Sequence, residues 1–168
     1  MGAIARPIGG WISDKLGGAR VTFWTFVLMA AAVVGVLHFM PHGGAGGSFI
    51  GFLAMFLLLF TLTGVGNAST FRMIPVIFLT ERQREAKGQG KEAEAKATVV
   101  AGKEAAAVLG FVGAMGAYGG FFIPKSYGTS LAMTGSPDAA LYMFVVFYVT
   151  CIAMTWWYYA RRNAEMPC

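Results

Sequence analysis

The polar residues of this chain that could do chemistry are few, and they lie in apolar surroundings. Between Gly64 and Pro75 the sequence reads G-V-G-N-A-S-T-F-R-M-I-P, which sets Asn67, Ser69, Thr70 and Arg72 inside a hydrophobic run. A guanidinium kept out of water is costly, so an arginine in such a run holds an anion, pairs with a carboxylate or faces a watery path. Asn, Ser and Thr have a plainer use, which is hydrogen bonding between neighbouring helices. Ser69 and Thr70 are read in that plainer way, and Asn67 is open to either reading. A second charged pair, Lys103 and Glu104, interrupts another apolar run. The patterns G-x-S-x-G, H-E-x-x-H and C-x-x-C do not occur. Without them there is no nucleophile, zinc or redox signature, and an enzyme is not expected. His38 and His42 have no cysteine or histidine cluster around them. No metal and no cofactor are expected.

The elements that position these residues follow from composition. Apolar residues make up 57% of the 168 and charged ones only 12%, about half the usual share for a globular domain. With 23 Gly and 14 Phe, this is the mixture of packed membrane helices, whose small residues let backbones approach. Runs of about 18 or more apolar residues are long enough to span a bilayer. Four such runs occur, at about 21–40, 48–80, 97–124 and 139–160. The fourth ends in Trp156, Trp157, Tyr158 and Tyr159, an interfacial aromatic belt. The fold expected is all-α and integral to the membrane, one partial transmembrane domain over 1–168, with the stump of a fifth helix before the first span. The net charge of +5 is too dispersed for a nucleic-acid partner. Cys151 and Cys168 are read as reduced, because along a helix they would stand about 20 Å or more apart.

Orientation comes from the loops. Segment 13–20 carries Lys15 and Arg20, and 41–47 carries neither Lys nor Arg. Segment 81–96 carries Arg82, Arg84, Lys87, Lys91 and Lys96, the segment 125–138 carries one Lys, and the tail carries Arg161 and Arg162. Basic loops face the cytoplasm. The expected arrangement is therefore loops 13–20 and 81–96 inside, 41–47 outside and the C-terminus inside. Segment 81–96 is read as a short interfacial helix or a solvated linker.

Two further motifs stand out. Gly10-Trp-Ile-Ser-Asp14-Lys15-Leu-Gly17-Gly18-Ala-Arg20 reads G-x-x-x-D-[RK]-x-G-x-x-[RK], a tight turn between helices with Asp14 placed to accept from free N–H groups at a helix start. Gly110, Gly113, Gly116 and Gly119 recur every three residues, and Gly116 with Gly120 forms G-x-x-x-G. That row reads as a face for close helix packing or as a smooth wall past which a small flat substrate and moving helices slide.

The loop motif is similar to the one repeated in the major facilitator superfamily, after the second and the eighth helices. Four spans follow it here, as they would follow the second copy. The stretches G-N-x-S-T-F-x-M-I-P and G-F-x-G-A-x-G-A-Y-G-G-F-F-I-P resemble the tenth and eleventh helices of the nitrate/nitrite porter family, the latter its second nitrate signature. The resemblance covers nearly the whole chain. It implies the C-terminal part of a facilitator fold, from the end of helix eight through helix twelve, in the cell (inner) membrane. It implies nitrate and nitrite as substrates and, besides the lipid bilayer, an N-terminal half as partner, without which a structural or inactive piece is the alternative. The family's anion-binding arginines lie on helices two and eight. The expectation is that both fall outside this chain and that Arg6 belongs to the loop motif. Depth reckoned from the span ends places Arg72 and Glu104 at similar levels in the cytoplasmic half, so they are expected to pair. Glu104 is the one carboxylate within a span, which leans toward nitrate/nitrite exchange over proton-coupled uptake.

Overall fold

The computed structural model describes residues 2–41 and 46–161. His42, Arg162 and Cys168 lie outside the described residues. Five α-helices follow one another: α1 (Gly2–Leu16), α2 (Gly18–Phe39), α3 (Phe49–Ala86), α4 (Lys91–Thr134) and α5 (Asp138–Thr155), the last running into a π-helical turn, Trp156–Ala160. Among the described residues there is no strand. Four helices are long and apolar enough to cross a membrane, α2, α3, α4 and α5 with its π turn. The all-α membrane architecture read from the sequence is the observed one.

The helices overrun the hydropathy limits. α1 continues to Leu16 and α2 starts at Gly18, so the segment 13–20 is almost wholly helical. Gly17 alone breaks it, at a φ of 88° that disfavours any side chain. The segment 81–96 is neither linker nor separate helix. It is the end of α3 and the start of α4, joined by residues 87–90. α4 also passes through Pro124 to Thr134, ten residues beyond the expected exit. With 38 and 44 residues, α3 and α4 measure about 57 and 66 Å. Both exceed a hydrocarbon core of about 30 Å, so they project from the bilayer or tilt within it. Hydropathy marks where side chains leave lipid, whereas backbone hydrogen bonding carries on through Glu81–Ala86 and Lys91–Lys96, whose residues are good helix formers.

α3 is the centre of the bundle, packing on α1, α2 and α4, while α2 also packs on α5. The core lies between α2, α3 and α5, where Val33, Val36, Leu37 and Leu141 are buried against Met55, Phe52 and Phe144. α1 and α3 run in the same direction and touch backbone to backbone. A side-chain carbon on Gly9 would lie 2.7 Å from Val65 Cα, and one on Gly64 would run into the Gly2 carbonyl and Ala5. α4 is held only near its ends. Ala97, Ala101 and Ala105 form a buried seam with four-residue spacing near its start. At the other end the Ser130 hydroxyl donates to the Ser136 carbonyl (2.7 Å) and accepts from the Ala140 N–H (3.3 Å). Between Ala105 and Ser130 no residue of α4 is buried.

Candidate functional site

Each polar residue of the Gly64–Pro75 stretch has a distinct fate. Ser69 is fully buried and its hydroxyl meets the Thr22 hydroxyl of α2 at 2.8 Å. Thr22 in turn donates to Met73 Sδ at 3.3 Å. This is the interhelical bonding expected of Ser69. Thr70 does not share it, because its hydroxyl returns to the Gly66 carbonyl of its own helix at 2.8 Å. Such a bond satisfies the hydroxyl without linking helices.

Arg72 does not pair with Glu104. Its Nε lies 2.6 Å from Asp14 Oδ1, so the partner comes from the loop motif. Glu104 is instead held by Arg82 across α3 and α4, with Nε to Oε2 at 2.8 Å and Nη2 to Oε1 at 2.6 Å. Arg82 Nη1 also reaches Glu85 at 2.7 Å. The expected pairing fails for a geometric reason. It rested on hydropathy boundaries, but the α3–α4 turn lies at residues 87–90, well beyond them. Arg82, near that turn, is the residue opposite Glu104, and Arg72 is ten residues, or about 15 Å, further along α3. Asp14 is also not a cap of α2, whose N-terminus receives no side-chain hydrogen bond. It lies in the last turn of α1 and is used for the ion pair. In the same motif Lys15 stacks over the Trp11 ring at 3.9 Å, Arg20 is exposed, and Gly10 has no neighbour within 4 Å of a would-be Cβ among the described residues.

The glycine row of α4 packs closely on none of the described residues. A side-chain carbon at Gly110, Gly113, Gly116, Gly119 or Gly120 would meet no atom of the described residues within 4 Å. The close glycine contacts lie elsewhere, at Gly9 and Gly64 between α1 and α3 and at Gly18 against Met73. No group of three or more metal-ligating side chains occurs among the described residues.

Arg6 and Asn67 have no hydrogen-bond or ion-pair partner among the described residues, and both are exposed. Arg6 is within α1, ten residues before its end at Leu16, so it stands about 15 Å from that end, half the thickness of a hydrocarbon core. The contacts of Ala5 and Gly9 set it level with Gly64 and Val65 of α3. In the sequence Arg6 counts with the loop motif, a reading that does not reckon its distance along the helix. Asn67 lies at the middle of the 38-residue α3. On that helix Gly64, Val65 and Ala68 face α1, and Gly66, Ser69 and Met73 face α2. Asn67 belongs to neither set.

Comparison with known proteins decides what kind of chain this is. It is 48% identical over 166 residues to nitrate/nitrite transporter NarU of Escherichia coli (strain K12), over 97% of this chain and 35% of that protein. It is 34% identical to probable nitrate/nitrite antiporter NarK2 of Thermus thermophilus, over 100% of this chain and 33% of that protein. This chain is a homologue of the nitrate/nitrite porters. A third porter, probable nitrate transporter NarT of Staphylococcus carnosus, is 24% identical over 96% of the chain. No protein-family model matches. The chain spans about a third of the length of the porters it matches, a share that fits a C-terminal part.

The Arg82–Glu104 clamp yields a direct expectation. In a full-length protein, Glu104→Arg alone places two cations together and should lower thermal stability in detergent. Adding Arg82→Glu should restore much of it, since a bridge between two helices keeps its attraction when its ends are exchanged. A double variant no more stable than Glu104→Arg would show that the two side chains are not coupled.

Proposed function

We propose that this chain is part of a multi-pass transporter of the cell (inner) membrane that moves nitrate and nitrite by alternating access, with its C-terminus in the cytoplasm. The observation that carries the reading is Arg6, a permanent cation half a bilayer deep in a helix, exposed and without an acceptor among the described residues. An arginine so placed faces an anion or a watery cavity. We assign it as the anion-binding arginine that the family resemblance places on helix eight. The porters named above carry nitrate and nitrite by name, which supports that choice of anion. The alternation of basic and neutral loops supports the orientation.

The rest of the site belongs to an N-terminal half. Facilitator sites lie near the bilayer midplane between two halves. The open glycine row on α4 is a further surface for that half, since none of the described residues comes close to it. Exchange is the mode we favour. Glu104, the one carboxylate within a span, has both oxygens engaged by Arg82 and is poorly placed as a proton carrier.

The test is nitrate uptake into proteoliposomes holding a full-length protein, with and without internal nitrite and with and without a pH gradient. Uptake should rise with internal nitrite and ignore the gradient. Uptake driven by the gradient alone would replace exchange by proton coupling. This chain reconstituted by itself should carry no anion above protein-free liposomes, and flux from it would remove the need for a second half.

A further inference from the structure

Nitrate is a planar anion whose single charge is spread over three oxygens, and one arginine cannot engage all of them. Asn67 is placed to engage another. It is the middle residue of α3 and exposed, while its neighbours Gly64, Val65 and Ala68 meet α1 and Gly66 and Ser69 meet α2. Its amide has no partner among the described residues, unlike Ser69 and Thr70 beside it. Arg6 is level with Gly64 and Val65, so Asn67 is two to three residues, about 3–5 Å, further along the axis. That offset is shorter than an arginine side chain. An amide kept from water at mid-membrane needs a hydrogen-bond partner, and an uncovered one at nearly the same level as an unpaired cation suits an oxyanion.

We infer that the Asn67 amide donates to an oxygen of the anion held by Arg6, orienting it and favouring planar oxyanions over halide. This rests on the placement of the anion at Arg6. A halide is spherical and gains little from a second, oriented donor, whereas nitrate gains a hydrogen bond to a charged group.

The experiment uses a full-length transporter in proteoliposomes and reads the nitrate KM together with the inhibition constant of chloride. Asn67→Ala should raise the nitrate KM about tenfold or more, the equivalent of one hydrogen bond to a charged partner, and leave chloride inhibition nearly unchanged. Asn67→Asp keeps the shape but replaces the donor by a repelling carboxylate, and it should raise the nitrate KM further still. Asn67→Ser, which keeps a donor, should fall between wild type and Ala. An unchanged nitrate KM in Asn67→Asp would overturn the inference. So would equal losses for nitrate and chloride, the mark of an amide that binds a neighbouring helix. Arg6→Gln run in parallel separates the two readings. If it transports normally, the anion is not at Arg6 and both readings fall. If it is inactive while the Asn67 variants behave as wild type, only the role of Asn67 falls.

Discussion

Arg6→Gln in a full-length porter should lower nitrate transport by about two orders of magnitude or more, because it takes the charge from a binding contact within a low-dielectric site. The size follows from what the residue faces. Arg72 has Asp14 at 2.6 Å and Arg82 has two glutamates, so the charge of each is already compensated within the chain. Arg6 has no such partner among the described residues, and its compensation is left to the anion. Arg6→Lys tests the geometry, because a lysine keeps the charge but loses the planar fork that meets two oxygens at once. It should recover little transport. The same variants should fold as wild type, since Arg6 is off the Ala5–Gly9–Ser13 stripe that α1 buries. Near-normal uptake by Arg6→Gln, with correct insertion, would refute the assignment.

The second large effect separates two kinds of glycine. Gly64→Leu should prevent assembly of the bundle. Its side chain would strike the Gly2 carbonyl and Ala5, and a backbone cannot rotate aside as a side chain can. Overpacking that displaces backbone costs about 3 kcal/mol or more, a large part of a typical total stability. At Gly116, by contrast, a side-chain carbon meets none of the described residues within 4 Å; the test there is Gly116→Leu. It should leave thermal stability of the C-terminal bundle close to wild type and still stop transport, by filling the space between α4 and the N-terminal half. Size-exclusion profiles and unfolding curves of the purified full-length variants, followed by uptake, distinguish the cases. A monodisperse, active Gly64→Leu would deny the close α1–α3 approach. An active Gly116→Leu would show that nothing comes near that face.

The spans were legible because their signal is collective. Some twenty consecutive apolar residues outweigh any error at one position, and the four runs reappear as α2, α3, α4 and α5. The interhelical use of Ser69 was legible for a similar reason, as a small hydroxyl in lipid has few other options. Pairwise contacts were not legible. Whether Glu104 meets Arg72 or Arg82 depends on where two antiparallel helices turn. The charged ends Glu81–Ala86 and Lys91–Lys96 look like a loop in a hydropathy reading and are helix in the fold. Arg6 was read as part of the loop motif at the end of a helix, and motif membership says nothing of its depth along α1. The glycine row was recognised but its partner could not be, because none of the described residues packs closely against it.

The two groups of glycines also differ in how they constrain descent. Gly9 and Gly64 answer to each other's helices, so any lineage that keeps α1 against α3 must keep them bare, whatever else it loses. Gly110, Gly113 and Gly116 answer to a surface outside this chain. In a lineage where this segment outlived its N-terminal half, those three would drift to alanine, leucine and phenylalanine at the rate of ordinary lipid-facing positions, while Gly9 and Gly64 stood still. Counting substitutions at these two sets of positions would therefore date the loss of transport without a flux measurement.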